Sequence, residues 1–60
     1  MAKFIEVTDG GITKLVNVDM ICYVSDCVNH AAIRLRGNEW AFSVDETYEE
    51  IKAMLEEVNG

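Results

Sequence analysis

Between Ile33 and Val58 an alternating hairpin pattern runs directly into a capped amphipathic helix, which confines the chain to an α+β architecture. Ile33 and Leu35 alternate with Arg34 and Arg36, and Trp40, Phe42 and Val44 alternate with Ala41 and Ser43. Gly37-Asn38 between them suits a two-residue type II′ turn, because glycine accepts a positive φ without a Cβ clash. That register sets Arg36 opposite Glu39, Leu35 opposite Trp40 and Ile33 opposite Phe42, with apolar residues on one face and an ion pair on the other. Thr47 with Glu50 three residues later makes a capping box at the helix start. Tyr48, Ile51, Met54, Leu55 and Val58 then recur at helical spacing as its buried stripe, and Asn59-Gly60 forms the stop.

The preceding half reads as three more strands. Lys3 to Thr8 alternates, with Ile5 and Val7 on one face and Phe4 and Glu6 on the other. Asp9-Gly10-Gly11 is taken as a three-residue loop, which sets Glu6 opposite Lys14, Ile5 opposite Leu15 and Phe4 opposite Val16. Thr13 to Asn17 is the second strand, and Asn17-Val18-Asp19 is a bend. Met20 to Ser25 is the third strand, and its unbroken apolar run suggests burial on both faces, in a central strand or a subunit interface. After the loop Asp26 to His30, Ala31 to Arg36 and Glu39 to Val44 complete about five short antiparallel strands ahead of the single C-terminal helix.

Sixty residues make one domain, spanning 1–60, with no internal repeat or linker. A chain of this length buries only roughly 60% of its unfolded surface and is marginal alone. Self-association is the usual remedy where disulfides and metals are lacking. A homo-oligomer is therefore expected, with Phe4, Val16, Val18 and Met20 covered by another copy. The net charge of −6, from eleven acids against five Lys and Arg, disfavours direct nucleic-acid binding and leaves a protein partner with a basic surface, or no charged partner at all. Glu46, Glu49, Glu50, Glu56 and Glu57 face only Lys52 in the last quarter of the chain. A solvated helix face accounts for them. Glu49, Glu50, Glu56 and Glu57 are also the candidate partner-binding residues. Glu56 and Glu57 sit at the negative end of the helix dipole, at a cost of a few tenths of a kcal/mol each. The apolar runs are far short of the roughly 20 residues of a membrane span, so no membrane role and a cytoplasmic location are expected, with both cysteines reduced.

Chemistry is sparse. Cys22, Cys27 and His30 offer three soft ligands in a C-x4-C-x2-H spacing, whereas a structural zinc site wants four. No metal and no cofactor are expected. Cys27 with His30 lacks an oxyanion site and a cavity, and Gly10-Gly11 joins two strands rather than a strand and a helix, so no enzyme is expected. Arg34 and Arg36 lie two residues apart on one face; they either bridge to Glu39 and neighbouring acids or grip an anion. With Trp40 and Tyr23 they are the candidate contacts for a small anion or nucleotide held between subunits.

The order Phe4-Ile5-x-Val7-Thr8, Val16-Asn17-x-Asp19-x-Ile21-x-x-Val24, Ile33-x-Leu35 and Val44-x-Glu46-x-x-Glu49-Glu50-Ile51 resembles the small flagellar FlbD family, across residues 4–55. The chain departs from that family at Gly37-Asn38, at Trp40 and in its cysteines. The resemblance implies a small regulatory protein-interaction module and no catalytic residues. Asn17-x-Asp19-x-Ile21-x-Tyr23-Val24 is also similar to part of the LytTR DNA-binding domain, which reads DNA with basic residues that this acidic chain does not supply. An acidic inhibitor that imitates nucleic-acid phosphate, of the kind phages encode, is the alternative reading of the glutamates.

Overall fold

The computed structural model describes residues 3–59. Five antiparallel strands form two sheets, followed by one C-terminal helix, an α+β fold. Strands β1 (Phe4–Asp9) and β2 (Ile12–Asn17) make a hairpin. A single 3-10 turn at Val18–Met20 leads to β3 (Ile21–Asp26), β4 (Ala31–Leu35) and β5 (Phe42–Val44), ordered β3-β4-β5. Helix α1 covers Tyr48–Asn59, so Asn59, expected with Gly60 as the stop, is its last helical residue; Gly60 lies outside the described residues.

Ile5, Val7, Val16, Ala31, Ile33, Val44 and Ile51 form the buried core, to which each sheet and the helix contribute. The sheets are tied at one seam. Asp45 donates its backbone N–H to the Thr8 carbonyl at 2.8 Å, and Thr8 donates its own to Glu46 Oε1 at 2.8 Å. The helix start has the expected reciprocal cap: Thr47 N–H donates to Glu50 Oε1 at 3.0 Å, and Glu50 N–H to Thr47 Oγ1 at 3.2 Å. Such a cap contributes about 1 kcal/mol. Asn17 ends β2 at the expected bend, its Oδ1 accepting from Asp19 N–H at 3.0 Å.

Several expectations are corrected. The first hairpin closes on Gly10-Gly11 alone, with φ of +57° and +87°, as a type I′ turn requires. The register is therefore shifted by one: Ile5 pairs with Val16, Glu6 with Leu15 and Val7 with Lys14. The shift buries Val16, expected on the outer face, and turns Leu15 outward to 68% exposure. Burying a valine is worth about 1.5–3 kcal/mol, more than the surface Glu6–Lys14 pair the other register would have made. Lys14 instead reaches Asp9 at 2.9 Å.

The second hairpin keeps Ile33 opposite Phe42, but β5 begins only at Phe42. Leu35 and Arg36 are held by the opposite neighbour: Leu35 pairs with Ile21, and Arg36 donates its N–H to the Met20 carbonyl at 2.7 Å. The chain then turns over Leu35–Asn38, closed by Asn38 N–H to the Leu35 carbonyl at 3.1 Å, with Gly37 third at φ +91° as in a type II turn. Leu35 thus does not pair with Trp40, nor Arg36 with Glu39. The apolar strand β3 is likewise no central strand: it lies at the edge of its sheet, with Cys22 and Tyr23 exposed. Cys22 is the extra residue of a bulge between Ile21 and Tyr23.

Candidate functional site

The type I′ turn and the early turn at Gly37 together open a cleft of about 480 Å³ between β2 and the end of β4. Strand β2 supplies Lys14, Leu15 and Asn17 to it, and the 3-10 turn supplies Met20. Opposite them stand Leu35, Arg36, Asn38 and Phe42. The walls are apolar and the rim is cationic. Lys14 Nζ sits 5.7 Å from the centre of the Phe42 ring, a cation–π distance, while also bonded to Asp9. Arg34 Nε donates to the Asn38 carbonyl at 3.1 Å, which adds a third cation beside the rim.

The four candidate anion contacts are divided. Tyr23 and Arg34 face each other as direct partners in the β3–β4 ladder. Arg36 lies apart from them in the cleft, and Trp40, 80% exposed, lines neither. Neither arginine makes the expected bridge to Glu39: among the described residues Lys14–Asp9 is the only ion pair. The strand pattern alone does not single out Lys14, Leu15, Met20 and Phe42 as site residues. The signal for them is the Gly10-Gly11 pair, since a two-residue turn places Leu15 outside and Lys14 toward Phe42.

The four candidate partner-binding glutamates are all exposed on α1. Glu49 and Glu50 occupy the first turn, where negative charge complements the dipole, and Glu50 is committed to the cap. Glu57 borders a notch formed with Phe4, Glu6, Met54 and Val58. A smaller hollow of about 280 Å³ between β3 and α1 holds Cys22, Tyr23, Tyr48 and Lys52.

No family model, curated protein or solved structure matches this chain.

Cys22 and Cys27 are free thiols, and the His30 ring Nδ1 is 2.9 Å from Asn29 Oδ1. Among the described residues no three His, Cys, Asp or Glu side chains are placed to hold a metal ion. No helix among them is long and apolar enough to cross a membrane.

Glu46, at the seam between the sheets, has a displaced titration. Its partial desolvation pushes the pKa up, but hydrogen bonds from the Thr8 backbone, its own amide and the Thr8 side chain outweigh this and hold it below the ordinary value. A folded pKa below the unfolded one stabilises the fold above the unfolded value, about 4.3, and the contribution is lost as pH falls through the folded value. The urea midpoint of the native chain is expected to drop on acidification through this range more than that of Glu46→Gln, measured in parallel. Equal drops would show that the seam carboxylate is not held ionised.

Proposed function

We propose that the chain is a small, non-enzymatic regulatory interaction module of FlbD-like type, acting in the cytoplasm as a homo-oligomer. The supporting observation is the amount of large apolar surface left open on so small a domain: Phe4, Ile12, Leu15, Met20, Tyr23 and Trp40 are all exposed. Both β2 and β3 also end their sheets with unpaired backbone edges. Open edges and exposed large apolar side chains are what a chain keeps when another chain covers them.

The test is sedimentation velocity over a wide concentration range. A sedimentation coefficient that rises with concentration toward a defined assembly supports the reading. A coefficient fixed at the monomer value throughout defeats it.

A further inference from the structure

The positive charge of this acidic chain is not scattered. Lys14, Arg34 and Arg36 are three of its five Lys and Arg, and all three stand in or beside the cleft between β2 and the end of β4. The two arginines have no carboxylate within salt-bridge distance among the described residues. The far end of α1 is the converse. Its last turn holds Glu56 and Glu57 and no basic residue, so two carboxylates add to the negative pole of the helix dipole, and Lys52 one turn earlier is the only cation on the helix. Met54 and Val58 are only half-buried there, and Phe4 beside them is 47% exposed. One molecule thus carries an apolar cleft whose Arg36 has no carboxylate partner among the described residues, and an anionic apolar helix end.

We propose that the cleft receives the acidic C-terminal end of α1 from a second copy of this chain. The proposal rests on the self-associating reading above and adds the surfaces and their polarity. Arg36 would supply the cation missing from the last turn of the incoming helix, while Leu15, Met20 and Phe42 meet its Met54 and Val58. Packing cleft on cleft about a two-fold axis would instead set cations against cations. The contact is therefore cleft to helix end: made reciprocally about a two-fold axis it closes a dimer, and repeated head to tail it generates a ring or an open chain. A different protein with an acidic apolar helix would satisfy the same cleft, and the experiment separates that outcome.

Charge reversal with rescue tests it. Arg36→Glu, and separately the double change Glu56→Arg with Glu57→Arg, alter exposed side chains, and circular dichroism establishes that each variant is folded. Light scattering at low salt is expected to give the monomer mass for each variant alone, and the assembled mass for their equimolar mixture. In the mixture every contact regains opposite charges: the native cleft holds the native helix end, and the reversed cleft holds the reversed one. An assembly indifferent to both reversals overturns the proposal, leaves self-association standing and leaves the cleft to a different protein. Loss of assembly in folded variants without rescue on mixing also overturns it, because the two sites then do not meet each other. A wild-type chain that is monomeric throughout removes the underlying reading as well.

Discussion

Ile33→Ala is expected to leave this chain largely unfolded at ambient temperature. Ile33 has no solvent exposure and lies on the central strand of its sheet, paired with Val24 on one side and Phe42 on the other. Truncating a buried isoleucine costs about 2–5 kcal/mol, from lost transfer energy and the cavity left behind. A 60-residue domain has little to spare: total stability at about 0.05–0.15 kcal/mol per residue is of the same order as that single loss. Urea titration followed by far-ultraviolet circular dichroism gives the comparison. Ile33→Val is the control, with an expected cost of about 0.5–1.5 kcal/mol. A stability loss for Ile33→Ala no greater than for Ile33→Val would mean that the core does not centre on this strand.

The second large effect is expected at Gly11. Its φ of +87° is open to glycine and strained for a β-branched residue, so Gly11→Val costs about 1–3 kcal/mol through the backbone alone. The added Cβ meets nothing within 4 Å, which leaves conformation rather than crowding as the cause. Asparagine tolerates this region far better, so Gly11→Asn should retain most of the stability. The pair of variants also probes register. A two-residue turn is what sets Ile5 opposite Val16, and if the Gly11→Val turn relaxed into a longer loop, Val16 would be pushed off the core face. Amide exchange across β1 and β2 would report that slip. Equal stability of the two variants would rule out the type I′ geometry.

These positions also show where the sequence can be read and where it cannot. The Thr47–Glu50 cap and the inward face of α1 are legible because both depend on residues three or four apart in one helix. Of the expected stripe only Ile51 is buried; Met54, Leu55 and Val58 are partly buried, and Tyr48 is not part of the core. The pairing of Ile33 with Phe42 is legible because alternation alone sets which residues share a face. The β1–β2 register is missed when a surface ion pair is weighted above the turn geometry of two adjacent glycines, although burial of Val16 outweighs such a pair. The extent of β5 is missed for another reason. Leu35 and Arg36 have two possible partners, β5 and β3, and only the assembled sheet shows that β3 holds them.

The same competition hides the cleft. Its walls come from β2, the 3-10 turn and the chain between β4 and β5, segments that no local periodicity links. Arg36 stands out from the strand pattern, whereas Lys14 and Leu15 become visible only once the register is known. The run in β3 is apolar as read, but its place is not the centre of a sheet. At an edge, Ile21 and Val24 still pack against the core, but Cys22 is exposed and Tyr23 remains 48% exposed.

That exposed surface makes the assembled mass the most direct test of the account. Native mass spectrometry of the purified chain is predicted to show multiples of the 6.7 kDa protomer, with no additional mass from a bound small molecule. A bare 6.7 kDa species at every concentration would contradict the account, since the open edges and the charged cleft would then need no second copy.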